Sequence, residues 1–296
     1  MLNFNPITLE DRDWISAYYR KKDVSCAVYS FAINYTWRDA YPMEVCQEDG
    51  FFFGKTKIKE TTSFLCPMGN GDLKKAIDKI KEYCCENDLP VKIHGILQED
   101  KEKLAEIYGD KITFKSSRDD AEYIYDRDAL AELKGKKYHG KRNHIKRFMD
   151  KDWSYEPITK DNINECISMQ AQWLKLNNSD EEKSKLEESC AAMKTLKNFF
   201  TLGLKGGLLR QDGKVVAYTI GEAIGNSTFA VHFEKAFADV QGAYPTINQQ
   251  FVRAETEGFR YINREEDVGS EGLRKAKLSY HPTFLLEKYR AVLTED

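Results

Sequence analysis

One order of strand and helix patterns occurs twice along this chain, and the repetition restricts the possible folds more than any other feature. In the first half, two segments rich in strand-forming residues lie at 51–58 and 61–68. The glycine-containing loop at 69–72 ends in Asp72, which is the predicted N-cap of a helix. A strand pattern at 91–97 ends the series. The first half therefore predicts a hairpin, a loop, a helix and a further strand.

The second half predicts the same order, although the two halves share almost no residue identities. An Asp-Gly dipeptide, typical of two-residue turns, indicates a hairpin at 208–218. A strand pattern at 228–233 and a glycine-containing loop at 241–246 follow. A helical pattern then leads to a short strand at 261–263. The architecture is therefore predicted to be duplicated even though the sequence is not.

A helix that starts behind a glycine-containing loop in each half resembles the core of the GNAT (acyl-CoA N-acyltransferase) fold. In that fold the loop and the helix N-terminus form an anion site. The length of 296 residues also favours two domains. The sequence therefore predicts an α/β protein with mixed sheets, built as two tandem GNAT-like domains. We expect an N-terminal domain at residues 1–128 and a C-terminal domain, with the active site, at residues 129–296.

Composition restricts the location and the partners. The net charge is only −3, so a contact with nucleic acid or lipid would have to come from a local patch. Neither a signal peptide nor a run of 18 apolar residues occurs, which predicts a cytoplasmic protein that is at most peripheral to a membrane. The 7 cysteines include no CxxC pair, so we expect reduced thiols and no metal site.

The segment 134–148 is the strongest basic patch, because it concentrates lysine and arginine without any acid. As a helix it places Arg142 and Lys146 four residues apart, where like charges repel unless an anion lies between them. A phosphate-rich partner such as a tRNA backbone, a nucleotide or a lipid head group would explain this pattern. The alternative is a solvated helix face. The predicted phosphate contacts are Lys141, Arg142, Lys146 and Arg147.

A second candidate anion site is the loop ahead of the second helix, formed by Gln241, Gly242, Ala243 and Tyr244. In GNAT enzymes a loop at this position binds the cofactor pyrophosphate through backbone amides. Pro245 removes one of those amides here. The alternative interpretation is a plain helix-start turn with proline near the first helical position.

The segment 261–282 is the densest group of chemically useful residues, since three acids follow a strand and two cations follow in a helix. A carboxylate at a strand end suits a general base, and a nearby cation suits stabilisation of an oxyanion. The alternative is an ordinary ion-pair cluster. His232, within the preceding strand, is interpreted as structural. The predicted catalytic residues are Asn263, Glu265, Glu266, Asp267, Arg274 and Lys277.

The segments 136–148, 242–245 and 261–277 resemble signatures of the phosphatidylglycerol lysyltransferase C-terminal-like family, which is related to the Fem-type aminoacyltransferases. The resemblance implies a tandem GNAT protein that moves an aminoacyl group from aminoacyl-tRNA to a lipid or small-molecule acceptor. It also implies that Glu265, Glu266 or Asp267 takes the acceptor proton, that Arg274 or Lys277 stabilises the oxyanion, and that the basic helix holds tRNA. The well-known lysyltransferases carry a transmembrane portion ahead of this module, and no such segment occurs here, which leaves the lipid acceptor open.

Two other functions remain open at the level of sequence. The loop at 241–243 permits a CoA-dependent N-acyltransferase that takes acyl-CoA as its donor. The basic helix also permits a non-catalytic module that binds an anion or a nucleotide. The expected partners are accordingly tRNA or CoA, and a lipid head group at a membrane surface, while the oligomeric state is left open.

Overall fold

A computed structural model describes residues 1–58, 60–177 and 183–294. The chain forms two compact units. The N-terminal unit contains residues 1–122 together with 266–274 and 285–296, and the C-terminal unit contains residues 123–265 and 275–284. The predicted division after residue 128 is a single cut, whereas the N-terminal unit also takes two segments from the end of the chain. Strand pairing explains one of them, because residues 289–293 lie within the N-terminal sheet.

The helices and strands of the first part of the chain are β1 (Asn5–Pro6), α1 (Arg12–Lys21), α2 (Phe31–Thr36), β2 (Met43–Glu48), β3 (Phe51–Ile58), β4 (Thr61–Leu65), β5 (Met68–Gly69), α3 (Leu73–Glu86), β6 (Lys92–Ile96), α4 (Gln98–Tyr108) and β7 (Ile112–Ser116). Those of the second part are β8 (Glu122–Asp126), α5 (Arg127–Glu132), α6 (His139–Met149), β9 (Trp153–Pro157), α7 (Ile163–Asn177), α8 (Lys183–Lys197), α9 (Phe199–Leu202), β10 (Lys205–Gln211), β11 (Lys214–Ile224), β12 (Thr228–Ala236), α10 (Ala243–Glu255), β13 (Tyr261–Asn263), α11 (Glu271–Leu278), β14 (Phe284–Leu286) and β15 (Tyr289–Leu293).

The sheet of the N-terminal unit has the order β1-β2-β3-β4-β6-β15-β7, with β5 beside β3. Strands β4 and β6 are parallel, whereas β15 runs antiparallel to both β6 and β7. Helix α3 packs its apolar residues Ala76, Ile77 and Ile80 into a core that includes Phe64 and Ile93 from the sheet. Its first turn is closed by the predicted cap, since the Asp72 side chain accepts a hydrogen bond from a backbone amide at 2.9 Å.

The sheet of the C-terminal unit has the order β14-β8-β13-β12-β11-β10-β9. Strands β10 and β11 form the predicted hairpin around the Asp-Gly turn. Strands β12 and β13 are parallel and pair only from Thr228–Tyr261 to Ala230–Asn263, after which β12 continues to Ala236 paired with β11 alone. A β-bulge in β12 leaves His232 as the extra residue opposite β11. Because β13 ends at Asn263, the last residues of β12 have no paired strand on that side.

Helix α6 packs against α10 and its preceding loop, all within the C-terminal unit. Phe148 of α6 lies in one core cluster with Ala243 and Ile247 of α10. Gly242 has a φ of 85°, and a Cβ atom at this position would lie 2.2 Å from the carbonyl oxygen of His144. Glycine is therefore required here both by the left-handed conformation and by the close approach of the α6 backbone.

Candidate functional site

Glu234, on the part of β12 that extends beyond β13, lies at the centre of a polar cluster. One oxygen of its carboxylate accepts a hydrogen bond at 2.8 Å from Nη2 of Arg264, the residue that follows β13. The other oxygen accepts a hydrogen bond at 3.0 Å from the side-chain amide of Asn248 in α10. The side chains of Glu234 and Arg264 are 10% and 12% exposed. Because water is largely excluded, these charges act strongly on any group placed beside them.

Two cations lie against the ring of Tyr280. The guanidinium carbon of Arg264 is 4.7 Å from the ring centroid, and Nζ of Lys141 in α6 is 3.9 Å from it. Burial lowers the pKa of Lys141 to about 8, and repulsion by Arg264 adds to this while attraction by Glu234 opposes it. Lys141 therefore exchanges its proton close to neutral pH. We call the following residues the Glu234 cluster: Lys141, Glu234, Asn248, Arg264 and Tyr280.

His232, the bulged residue of β12, is held between two carboxylates. Its Nδ1 lies 2.7 Å from Glu265 and its Nε2 lies 3.1 Å from Glu222. Burial lowers the pKa of His232, but the hydrogen bonds to both carboxylates outweigh burial and raise it to about 9. The imidazole is therefore protonated at neutral pH and donates from both nitrogens. The backbone amide of Glu265 donates to Oδ1 of Asn263 at 2.7 Å, which fixes the turn that carries this carboxylate.

Three of the six predicted catalytic residues belong to the N-terminal unit, namely Glu266, Asp267 and Arg274. Asp267 is fully buried and accepts two hydrogen bonds of 2.8 Å from Arg274. Arg274 also donates to Asp119 at 2.6 Å. Glu266 forms an ion pair of 3.1 Å with Lys288. Asp267 and Arg274 thus satisfy each other's charges, which is the ion-pair alternative for this segment.

The other three predicted catalytic residues belong to the C-terminal unit, namely Asn263, Glu265 and Lys277. Lys277 is 7% exposed, and its Nζ donates to the backbone carbonyl of Arg264 at 2.5 Å. It therefore holds the chain at the residue whose side chain enters the Glu234 cluster. Glu265 reaches His232 instead. The catalytic role of all six residues stays a prediction.

The four predicted phosphate contacts of α6 have different surroundings. Lys141 belongs to the Glu234 cluster. Nη1 of Arg142 donates to the backbone carbonyls of Leu133 and Gly135, so this guanidinium closes the connection between α5 and α6. Lys146 and Arg147 are exposed and form no ion pair with the described residues. These two cations are therefore available to an anion in solution.

The loop ahead of α10 has few backbone groups left for an anion. Gln241 is exposed, Gly242 contacts the α6 backbone, and the amide of Ala243 donates to the Val240 carbonyl at 3.2 Å. Tyr244 is the second residue of α10, and partial burial raises the pKa of its phenol. This arrangement agrees with the helix-start alternative, while anion binding by the four residues stays a prediction.

Among the described residues, no group of three or more histidine, cysteine, aspartate or glutamate side chains could hold a metal ion. In the same parts of the chain, no helix has the length and apolar character that a membrane span requires.

Sequence reasoning missed the Glu234 cluster except for Lys141, and it treated His232 as a structural residue. A signal was present, because residues 228–236 place a histidine, a glutamate and a lysine within a strand whose other residues, apart from Thr228, are apolar. Buried charged residues in a strand are rare and mark a special environment. Their partners could not be identified, since Glu234 and Arg264 are separated by 30 residues.

Comparison with solved structures defines the class of protein first: this chain has the tandem GNAT fold. It matches the tandem GNAT protein from the clavulanic acid biosynthesis pathway with a TM-score of 0.50 and 10% identity, over 100% of both chains. The family to which the chain belongs is more specific than this fold. The family described as "Phosphatidylglycerol lysyltransferase, C-terminal" matches residues 23–292, and the chain belongs to this family. The fold prediction and the resemblance seen in the sequence are both confirmed.

Several individual proteins are also similar to this chain. A conserved protein of unknown function from Bacteroides thetaiotaomicron VPI-5482 is 42% identical, with 99% of this chain and 100% of that chain covered and a TM-score of 0.95. L-PGS from Bacillus licheniformis is 16% identical, with 97% and 93% covered and a TM-score of 0.67. The uncharacterized protein MYCGA3080 of Mycoplasmoides gallisepticum (strain R(low / passage 15 / clone 2)) is 24% identical over 173 residues, which are 56% of this chain and 54% of that protein. The chain thus spans about half the length of this curated relative.

Proposed function

We propose that this protein is an aminoacyltransferase that moves an aminoacyl group from aminoacyl-tRNA to an amine or hydroxyl of a lipid or small-molecule acceptor. Membership of the family supports a transferase. The observation that carries the proposal is the position of α6. This helix contributes Lys141 to the buried Glu234 cluster and exposes Lys146 and Arg147 on its surface. In this proposal the exposed cations of α6 contact tRNA phosphates, and Lys141 of the same helix contacts the reacting group.

The chemistry follows from the charges. The acceptor nitrogen or oxygen attacks the ester carbonyl, the carbonyl oxygen becomes negative, and the carbon–oxygen bond to the tRNA ribose then breaks. Arg264 and Lys141 are the cations that favour the negative oxygen, because Arg264 is largely shielded from water and Lys141 is partly buried beside it. Glu265, the predicted base in the same unit, takes the acceptor proton, and the ribose oxygen regains one as it leaves. The His232 bond keeps the Glu265 carboxylate in a fixed orientation.

The packing around Gly242 gives no support to the alternative CoA donor. A pyrophosphate would need free amides in the loop ahead of α10. Ala243 uses its amide within the loop, the α6 backbone covers Gly242, and Pro245 has none. A rise of the melting temperature on addition of CoA, without any affinity for tRNA, would favour that alternative instead.

The test of tRNA binding replaces Lys146 and Arg147 together with glutamine. We expect weaker binding of a mixed tRNA pool and a salt dependence reduced by about one unit in log–log slope for each lost phosphate contact. The matched control replaces Lys197 and Lys214, two exposed lysines elsewhere in the C-terminal unit, with the same change in net charge. Equal losses in both double variants would mean that α6 has no special role.

The test of transfer uses tRNA charged with radiolabelled amino acids, incubated with the protein and with either a lipid extract or a mixture of small amines. Label should leave tRNA and appear in one acceptor fraction, and Glu265→Gln should slow this by about a hundredfold or more, the usual size of a general-base contribution. Binding of tRNA without transfer to any acceptor would contradict the proposed activity and favour a binding module.

A further inference from the structure

Three buried polar atoms without a hydrogen-bond partner belong to residues that bind Glu234 or lie opposite it in the sheet. They are Oγ1 of Thr219, Oδ1 of Asn248 and Nη1 of Arg264. Asn248 and Arg264 each use their other polar atom to bind Glu234. Thr219 lies directly opposite Glu234 in the pairing of β11 with β12, so the two side chains share one face of the sheet. Buried polar atoms are nearly always paired, and three unpaired atoms on residues next to Glu234 therefore require an explanation.

Two of these unpaired atoms can accept a hydrogen bond, and the third is a donor. Oδ1 of Asn248 is an acceptor, because its amide nitrogen is fixed by donating to Glu234. Oγ1 of Thr219 can also accept, and Glu234 adds a negative charge on this side. Nη1 of Arg264 is a donor, and Lys141, which forms no ion pair with the described residues, adds a second cation over the shared Tyr280 ring. The group that completes this arrangement therefore has an N–H donor and an oxygen acceptor close together.

We propose that the Glu234 cluster, together with Thr219, is the binding site for an α-aminoacyl group. Its amine lies against Thr219, Asn248 and Glu234, and its carbonyl oxygen accepts from Arg264 and Lys141. The inference rests on the proposed function, since the end of a charged tRNA carries this amine and this carbonyl on neighbouring carbons. It adds a purpose to the charges: the acidic side selects substrates with a free amine, and the cationic side favours the negative oxygen of the transfer step.

The experiment measures binding to the full chain of two adenosine probes that carry the acyl group through a stable 3′-amide. One probe has a free α-amine and the other lacks it. We expect the amine to increase affinity at least tenfold. The Thr219→Val variant keeps the shape of the side chain and removes one acceptor, so it should weaken the amine probe severalfold and leave the other probe unchanged. Retained folding is expected, because the lost hydroxyl has no partner in the native state.

Tyr155→Phe is the matched control, since it removes another buried hydroxyl without a partner, on β9 of the same unit. This variant should leave both affinities unchanged. Equal affinity of the two probes, no binding of either, or an equal loss of both on Thr219→Val would overturn the inference. The last pattern is expected if the unpaired atoms serve only an ordered water molecule.

Two further arms separate this inference from the proposed function. A free amino acid should compete more weakly than the amide probe, because its carboxylate replaces an ester-like carbonyl, and stronger competition would overturn the assignment to an aminoacyl group. The transfer assay with charged tRNA is read independently. Probe discrimination without any transfer would contradict the proposed function alone, whereas transfer that is insensitive to Thr219→Val would contradict the inference alone.

Discussion

The two units share one architecture and differ in how their interiors treat polar groups. Each has a pair of parallel strands, β4–β6 or β12–β13, and a helix that starts behind a glycine-containing loop. Within the described residues, every buried side-chain nitrogen or oxygen atom without a hydrogen-bond partner belongs to the C-terminal unit: Arg127, Tyr155, Gln211, Thr219, Asn248 and Arg264. The N-terminal unit uses the scaffold for packing, and the C-terminal unit leaves polar groups that a ligand could satisfy. Two units with similar folds can therefore differ in function.

The two units also differ in the pKa of a buried strand histidine. His94 lies in β6 and contacts the Ser63 hydroxyl, and burial, aided by Arg290 and Lys288, lowers its pKa to about 4. His232 is also buried, but its two carboxylate partners raise its pKa to about 9. One histidine is thus neutral and the other charged at pH 7. The decisive factor is the neighbouring charge, since both side chains experience burial.

The largest predicted effect concerns the pH dependence of stability. Because the folded pKa of His232 exceeds its unfolded value of about 6.5, its contribution is complete below pH 6.5 and disappears as the pH rises through about 9. This loss amounts to about 3 kcal/mol by linkage. Urea unfolding of the wild type and of His232→Asn between pH 6 and 10 should show curves that converge at high pH. Curves that stay parallel would mean that His232 is neutral in the folded protein.

His94 supplies the control with the opposite sign. Its folded pKa lies below the unfolded value, so the unfolded state takes up a proton first when the pH falls below about 6.5. The free energy of unfolding should therefore decline as the pH falls below about 6.5. His94→Gln should reduce that decline and leave unchanged the loss at high pH that comes from His232. Loss of the alkaline limb in this variant would contradict the contrast between the two units.

A smaller effect is expected at the loop of the C-terminal unit. Gly242→Ala places a Cβ atom against a backbone carbonyl of α6 and also requires alanine at a φ of 85°. The loss of unfolding free energy should reach about 2 kcal/mol or more, since backbone cannot move aside cheaply. Gly213→Ala is the control, because its φ of 74° imposes similar strain with no atom within 4 Å of the new Cβ. Equal losses in thermal unfolding would show that the α6 contact is unimportant.

The smallest effect is expected at the corresponding loop of the N-terminal unit. Asp72→Ala removes the side chain that caps α3, and such caps contribute about 1 kcal/mol. Asp110→Ala, an exposed aspartate in the same unit, should change stability by less than half of that amount. Denaturant titration resolves the difference, and a cost of Asp72→Ala no greater than that of the control would show that this helix start needs no cap.

Local patterns were enough to predict most of the scaffold. The hairpins β3–β4 and β10–β11, the start of α3 and its Asp72 cap depend on neighbouring residues, and the structure confirms them. The site depends on distant ones. The partners of His232 lie 10 and 33 residues away, and a bulge in β12 decides where its ring points. The segment Asn263–Lys277, in which the catalytic residues are predicted, lies partly in each unit. The sequence could not predict this division, because residue spacing does not reveal the strand pairing.

Strand β15 has a consequence for the synthesis of this protein. Residues 289–293 fill the position between β6 and β7, both of which are made long before them. At typical translation rates, the ribosome needs roughly ten to thirty seconds to proceed from β7 to β15. During that time the nascent N-terminal half has two open strand edges that could pair with another chain. The first half to be translated is thus unable to finish folding until the second has been made.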